Sequence, residues 1–397
     1  METTTTSGGG DEEIVIPLPR PLNELHNQGV PSPEEVEITV LGIGGNSGES
    51  VVIHVGNGDW VVIDSCKTRA GMTLPLYYLE TIGADLSKVA IVACTHLHGD
   101  HIEGLSDVLT QCKEARFAYS LVGDHNTMRY IIAQYCKDKN IPNGGTFDEF
   151  MKCISICNNE RRHPVVIGID QTIYAGRNGQ IYGISPSYKM NEIYQWKLLK
   201  YDLEEDIPKN MLKTNFCSVA SILSIGEVKA LLGADLEANR NHGTDHLNCS
   251  LYCKRRNKRG WCNAVEDSQN FPLYKYDYIK IPHHSSVNGY CPKLWSQYMK
   301  KDTIGTSTIF LQGNVSLPED YMIDLYKSHC KELYYTSDIR TTRKDNKGKS
   351  KLEEVKVKAI KDMVVMQENI GIITSRKPMD GSRDWNTNFY ESAIRIK

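Results

Sequence analysis

The chain has 397 residues, with 46 Lys and Arg against 49 Asp and Glu and a net charge of −3. That balance excludes a uniformly basic polyanion binder, so contact with nucleic acid has to come from local patches. Hydrophobic residues make up 40% of the chain, enough for a large core, and no apolar run reaches the length of a membrane span.

Residues 1–35 open with ThrThrThrThrSerGlyGlyGlyAspGluGlu and continue proline-rich, which predicts a disordered or extended segment. No secretion signal precedes the twelve cysteines, so they read as reduced thiols of a cytoplasmic protein. Apolar, β-branched stretches then predict strands near 37–43, 50–55 and 60–64. Asp64 ends the third of them, and a carboxylate buried there needs hydrogen bonds or a charge beside it.

Lys88 to Cys94 reads as a buried strand and runs into ThrHisLeuHisGlyAspHisIleGluGly. His96, His98, Asp100 and His101 crowd three imidazoles and a carboxylate into six positions. Packing alone does not account for so many polar side chains, each of which needs its own partner if buried. A metal ion serves all four, whereas the competing reading, a solvated histidine-rich loop, leaves their clustering without a cause. Ile102, Leu105 and Leu109 mark the apolar stripe of a following helix. A strand end entering a helix N-terminus is where α/β proteins place chemistry. On that geometry His96 and His98 share one metal, while Asp100 and His101 turn toward a second. Imidazole nitrogen and carboxylate oxygen suit zinc first, then manganese or iron.

From about 112 to 210 the sequence mixes a helical stretch at 127–136 with strands that end at IleTyrGlyIleSerProSer, 181–187. Two apolar strands follow between Asn215 and Glu237, and TyrIleLysIleProHisHisSerSer occupies 278–286. The stretch 238–276 carries His242, His246, Cys249, Cys253 and Cys262, whose spacing matches no standard zinc finger. Its basic run LysArgArgAsnLysArg, 254–259, is more commonly a solvated loop. At the mouth of a cleft, however, Lys254, Arg255, Arg256, Lys258 and Arg259 would attract phosphates, and Trp261 would stack on a base. A second basic stretch, 340–351, reads as a flexible loop, and there is no internal repeat.

HisLeuHisGlyAspHis at 96–101 matches the HxHxDH signature of the metallo-β-lactamase superfamily. Residues 41–53 and 59–66 resemble that family's paired opening strands, with Asp64 at its buried aspartate. The stretches 215–237 and 278–286 resemble the hydrolase domain of the competence protein ComEC and its stand-alone relatives. The resemblance runs from about Glu37 to Thr336. GlyAlaAsp at 233–235 replaces the usual ThrGlyAsp, and HisHisSerSer replaces HisHisGlySer. A further histidine that some members place before Asp235 has no clear occupant, since only His125 and His163 lie in that interval.

The resemblance implies an αββα sandwich with enlarged insertions, at about 112–210 and 238–276, filling residues 36–397. It also implies two divalent metal ions, zinc or manganese, held by His96, His98, Asp100, His101, Asp235 and His284, with Asp235 bridging. A metal-bound hydroxide would be the nucleophile and Asp100 would orient it. His284 aligns better than His283 with the last ligand, because neighbouring side chains on an extended strand face opposite ways. His283 is left behind the ligand or as proton donor to the leaving group. Asp64 supports the ligand loop. Asn215 and Ser218 serve as family markers, expected to cap and pack. Ser285 and Ser286 are expected either to contact a phosphate or to be polar turn residues.

The function implied is phosphodiester cleavage by a nuclease acting on DNA. Its rivals are a phosphodiesterase for a small nucleotide or lipid head group, an amide or ester hydrolase on the same fold, and a metal-stabilised partner-binding subunit. A regulatory protein partner is expected as well, because an unrestrained cytoplasmic nuclease would harm its host.

Overall fold

The computed structural model describes residues 19–44, 48–120, 145–190, 192–193, 214–238, 259–340 and 369–396. The strands are β1 (Glu35–Gly44), β2 (Glu49–His54), β3 (Trp60–Ile63), β4 (Val89–Cys94), β5 (Arg116–Ser120), β6 (Val165–Ile167), β7 (Thr172–Gly176), β8 (Gly179–Gly183) and β9 (Ser221–Ile225). They continue as β10 (Val228–Leu232), β11 (Tyr276–Lys280), β12 (Met299–Ser307), β13 (Phe310–Gln312), β14 (Val315–Leu317), β15 (Glu332–Tyr335), β16 (Asn369–Pro378), β17 (Asn386–Glu391) and β18 (Ile394–Arg395). The first sheet runs β17-β16-β1-β2-β3-β4-β5-β6 and the second β18-β15-β12-β11-β10-β9-β8-β7. The expected strands at 37–43, 50–55, 60–64 and 88–94 are present with their ends shifted by one or two residues.

Alternation within each strand makes the layers. Val36, Ile38 and Val40 of β1, Ile53 of β2 and Val61 of β3 pack against Leu223, Ile225, Ala230 and Tyr278 from the second sheet. Their neighbours Leu41, Val52 and Val62 face outward instead, under the helices Leu74–Thr81, Leu105–Gln111 and Thr146–Asn159. Across the molecule, Ile222, Leu231 and Ile279 lie under the helices Trp261–Asp267, Pro292–Gln297 and Asp320–His329. This helix, sheet, sheet, helix order is a mixed α/β architecture consistent with the metallo-β-lactamase sandwich. Strands covered on both faces read as near-continuous apolar runs, which is why β1 and β2 were legible.

The two sheets approach closely at a glycine pair. Gly42 of β1 faces Gly371 of β16 in register, and a Cβ on either would collide with Thr336, which follows β15. Toward one end, Asp277 of β11 accepts from Lys377 of β16 at 2.9 Å, tying the sheets across the core. Before β1, Leu22–Gln28 forms a 3-10 helix with Leu25 fully buried, within the segment expected to be disordered or extended. Arg20 pairs with β17 through its backbone, so this stretch is docked.

Trp261 is also corrected. It is fully buried among Ala264, Phe271 and Trp295 on the outer face of the second sheet, so it offers no surface for stacking a base. Lys254, Arg255, Arg256, Lys258, His242, His246, Cys249 and Cys253, the helix at 127–136 and nearly all of the basic stretch at 340–351 lie outside the described residues. Among the described cysteines, burial pushes the Cys112 thiol up to about 12, as expected for an inert reduced thiol.

Candidate metal centre

All six candidate ligands emerge from strand ends on one edge of the sandwich. His96 and His98 follow β4, and Asp100 and His101 ride on the short helix Gly99–Ile102 that comes next. Asp235 follows β10, and His283 and His284 follow β11. β10 and β11 are parallel neighbours, so their ends deliver Asp235 and the histidine pair to the same place. Gly233 makes the approach possible, because a Cβ there would press on Lys280 O and Pro282. The backbone hydrogen bond from His283 to Ala234, 2.8 Å, then locks the two loops together.

The loops hold an unusual backbone. Asp64, Ala234, His283, His284 and Ser285 all have φ between 43° and 59° without being glycine. Left-handed conformations of such residues cost energy and persist where surrounding structure dictates them, which is common at functional sites. His283–Ser285 is therefore a left-handed turn and not the end of an extended strand. The opposite-facing rule for strand neighbours does not apply there, yet the two imidazoles still separate. His284 is buried with Nε2 3.2 Å from Asp100 Oδ2 and 3.7 Å from Asp235 Oδ2. His283 sits further out, its Nε2 4.0 Å from Asp235 Oδ2.

Asp235 stands between two sets of donors. His96 Nε2 lies 3.8 Å from its Oδ2, and His98 Nδ1 lies 3.0 Å from His96 Nε2. On the other side His101 Nε2 is 3.4 Å from Asp235 Oδ1 and 3.7 Å from Asp100 Oδ2. Among the described residues, the groups whose donor atoms converge include His96, His98 and Asp235, and Glu49, His101, Asp235 and His284. All six predicted ligands are thus brought together, and Asp235 is shared.

Hydrogen bonds behind the imidazoles aim their Nε2 atoms inward. Asp64 accepts from the Thr95 amide at 2.7 Å, the Thr95 hydroxyl at 2.6 Å and His101 Nδ1 at 2.8 Å. With the Thr95 proton committed to Asp64, its oxygen accepts from His96 Nδ1 at 3.0 Å. Both His96 and His101 therefore carry hydrogen on Nδ1 and present Nε2 to the centre.

The donor set fits a divalent cation. His101 Nε2 and Asp235 Oδ1 are buried without a hydrogen-bond partner, an arrangement that costs energy unless something binds them. Burial, helped by the neighbouring imidazoles of His101 and His98, holds His96 well below its ordinary pKa, so its lone pair is available. Burial also lowers His98. His101 is pulled the other way: burial disfavours its charge, but the carboxylates of Asp235, Asp100 and Asp64 together raise it well above the ordinary value. Asp235, despite burial, is held well below the usual carboxylate range by His101, His284 and His283. A proton on His101 supplies positive charge that a divalent cation would supply better.

Other residues at the site carried a weak signal or none in the sequence. Ser218 Oγ accepts from the Asp235 amide at 3.1 Å and lies 3.4 Å from His96 Nδ1. Asn215 Nδ2 donates to His283 Nε2 at 3.1 Å and to Glu237 Oε1 at 3.2 Å. Both do more than cap and pack, and both were visible only as family markers. Glu49 and Thr308 gave no signal beyond a charged residue heading an apolar strand. Ser285 Oγ donates to Ser307 Oγ at 2.9 Å, and Ser286 Oγ lies 2.9 Å from His283 Nδ1 while accepting from Gly289 N. These hydroxyls are engaged within the protein.

Residues 43–152 match the family model described as the metallo-beta-lactamase superfamily. No curated protein matches the sequence. Among solved structures, the metallo-beta-lactamase fold protein YhfI from Bacillus subtilis is 11% identical, covering 62% of this chain and 70% of its own, with a TM-score of 0.30. The MIM-2 metallo-beta-lactamase is 13% identical over 66% of this chain and 78% of its own, with a TM-score of 0.33. The hydrolase AbOPH in the beta lactamase superfamily is 15% identical over 47% and 55%, with a TM-score of 0.29. The match of the family model spans β2 to β5 and the His96–His101 run, so the likeness to the metallo-beta-lactamase superfamily rests on residues 43–152.

Proposed function

We propose that this chain is a metal-dependent hydrolase that cleaves phosphodiester bonds, with DNA as its substrate class. The observation that carries the hydrolase reading is the buried Asp235 standing between two sets of imidazole and carboxylate donors, of which only His98 and Asp100 are partly exposed. Two divalent ions, zinc or manganese, would be held by His96, His98 and Asp235 on one side and by Asp100, His101, Asp235 and His284 on the other. Such ions supply Lewis acidity and lower the pKa of bound water to about 7.

The chain's own residues do the rest. Asp100, on the helix that follows His98, orients the attacking water through whichever carboxylate oxygen faces it. His283 handles a proton at Nε2. That nitrogen accepts from Asn215 in the resting state, so it is set to take a proton up before it can deliver one to a leaving group. Burial lowers the pKa of His283, which keeps it neutral and ready for that step. The likeness to ComEC-type hydrolases supports phosphorus as the centre attacked, and the basic run at 254–259 supports a polyanion. A partner that restrains activity belongs to the same reading. No helix among the described residues is long and apolar enough to cross a membrane.

The test is cleavage of labelled single-stranded DNA, double-stranded DNA and RNA with manganese, zinc or magnesium, beside an Asp100→Ala, Asp235→Ala double variant. Metal-dependent cutting that the variant loses supports the reading and ranks the substrates. Hydrolysis of bis-p-nitrophenyl phosphate without cutting of nucleic acid would move the assignment to small phosphodiesters. Silence on all of them would leave an amide or ester substrate as the better account.

A further inference from the structure

We propose that Thr308 is a positioning residue that holds a hydrogen on His284 Nδ1 and so turns Nε2 toward the centre, with Glu49 and Lys280 anchoring Thr308. Glu49 heads β2 in the first sheet, while Lys280 ends β11 and Thr308 follows β12 in the second. All three are buried, with exposures of 1%, 0% and 0%. The Lys280 ammonium is ion-paired with Glu49 Oε1. The other oxygen, Oε2, accepts from the Thr308 hydroxyl at 2.5 Å. His284 Nδ1 lies 2.8 Å from that same hydroxyl oxygen.

The assignment follows from counting hydrogens. A threonine hydroxyl has one hydrogen, and a carboxylate paired with an ammonium can only accept. The Thr308 proton therefore goes to Glu49, and the oxygen is left as an acceptor. The group facing it, His284 Nδ1, must bring the hydrogen. Nε2 is then the nitrogen that faces the centre, 3.2 Å from Asp100 Oδ2 and 3.7 Å from Asp235 Oδ2; without a cation it shares a proton with the Asp100 carboxylate, and a bound cation would take its lone pair instead.

Thr95 and Asp64 impose the same logic on His96 from the end of β4. Two loops on opposite sheets thus use one device, a threonine between a buried carboxylate and a ligand imidazole. Glu49 lies within reach of the cluster formed with His101, Asp235 and His284. Its two oxygens hold Lys280 and Thr308, which gives it a supporting role behind His284. Lys280 explains why a carboxylate can sit there at all, since an unpaired buried charge is strongly unfavourable.

The consequence for metal affinity rests on the reading of His284 as a ligand, but the hydrogen on Nδ1 does not. The experiment is nitrogen NMR of 15N-histidine-labelled, metal-free protein at about pH 9, where free imidazole is neutral. A His284→Gln variant assigns the resonances. The expected result is a protonated Nδ1 at His284, partly lost in Thr308→Val and retained in Thr308→Ser. A bare Nδ1 in the wild type overturns the proposal, and so does a Thr308→Val spectrum like the wild type.

Calorimetric titration with zinc gives the second readout. Thr308→Val is expected to bind roughly tenfold or more weakly, as with other residues that orient a ligand, and Thr308→Ser close to wild type. Equal affinity in Thr308→Val overturns the positioning role. If the wild type binds no zinc or manganese, the metal reading fails, while the state of the wild-type Nδ1 still decides this proposal without any variant.

Discussion

Asp64 and His101, 37 positions apart, are joined by a 2.8 Å hydrogen bond between Oδ2 and Nδ1. Asp64 follows β3 and His101 lies just beyond β4, its parallel neighbour, so the bond spans two adjacent strand ends. The same carboxylate holds Thr95 by backbone and side chain, and through Thr95 it reaches His96. One buried group therefore orients two candidate ligands. Replacing Asp64 with Asn is expected to weaken zinc or manganese binding about 10- to 100-fold, because an amide cannot accept all three bonds. Competition with a chelating dye would measure it, and an unchanged affinity would remove Asp64 from the support of the centre.

The adjacent histidines should separate cleanly. His284 faces the shared centre with Asp100 and Asp235, whereas His283 is turned toward Asn215, Glu237 and Ser286. His284→Ala is expected to lower metal content to near one ion per chain or less. His283→Ala should keep its metal and lose about 10²- to 10⁴-fold in turnover on the best phosphodiester substrate, the usual contribution of a proton-transfer group. Elemental analysis and steady-state rates on both variants decide the matter; loss of metal in His283→Ala would reverse the roles assigned to the pair.

Metal removal should show in stability before it shows in activity. The unpartnered His101 Nε2 and Asp235 Oδ1 are liabilities in the metal-free protein. A ligand present at a hundred times its dissociation constant stabilises the folded state by about 2.7 kcal/mol. Adding zinc or manganese to chelator-treated protein is thus expected to raise Tm by several degrees. In Asp235→Ala, where the shared carboxylate is gone, the shift should shrink sharply. An equal shift in that variant would place the ion elsewhere.

Legibility in the sequence followed the range of the interactions. Ligand types and their spacing are local properties, so His96, His98, Asp100 and His101 could be read from one run, and Asp64 from its place after an apolar strand. Layering was not readable from the strands themselves, since β3 is apolar on both faces, and it came from the family resemblance. The turn at His283–Ser285 was not readable, because its three left-handed residues are imposed by Ala234, Ser286 and Gly289 contacts and by no propensity of its own. Glu49 and Thr308 stand 259 positions apart, and nothing local marks either as a partner of His284. Trp261 was misjudged because a basic run beside it suggested exposure, whereas its helix packs inward.

Gly371 offers a test of the sheet packing. It is opposite Gly42, with Thr336 seated against both, and its backbone does not need a positive φ. Space alone excludes a side chain there. Gly371→Ala is expected to destabilise by about 1–3 kcal/mol through overpacking. The atom met is the Thr336 backbone oxygen, which cannot swing aside as a side chain can. Urea melts of Gly371→Ala beside an alanine at Gly313, whose surroundings are open, would expose the difference, although Gly313 carries its own conformational cost from φ +58°. Equal losses at the two sites would mean that the approach to Thr336 is looser than described.

Asp277 links stability to pH. Its Oδ2 accepts from Lys377 at 2.9 Å and Lys300 at 3.0 Å, and its Oδ1 accepts from the Trp385 indole at 2.9 Å. Burial pushes its pKa up, but these donors outweigh it and hold the carboxyl below its ordinary value of 3.8. A pKa depressed by folding means that the charged form is favoured in the native state. Its contribution is therefore complete above the unfolded value and is lost as pH falls through the folded one. Asp277→Asn is expected to cost about 2 kcal/mol at pH 7, where charge-assisted bonds to two ammonium groups are lost. Between about pH 4 and the onset of acid unfolding the gap to wild type should narrow, because protonation removes the same charge from the native protein. Urea midpoints at pH 7, 5 and 3 would follow it. A gap that stays constant down to pH 3 would mean that Asp277 acts through the shape of its hydrogen bonds and not through its charge.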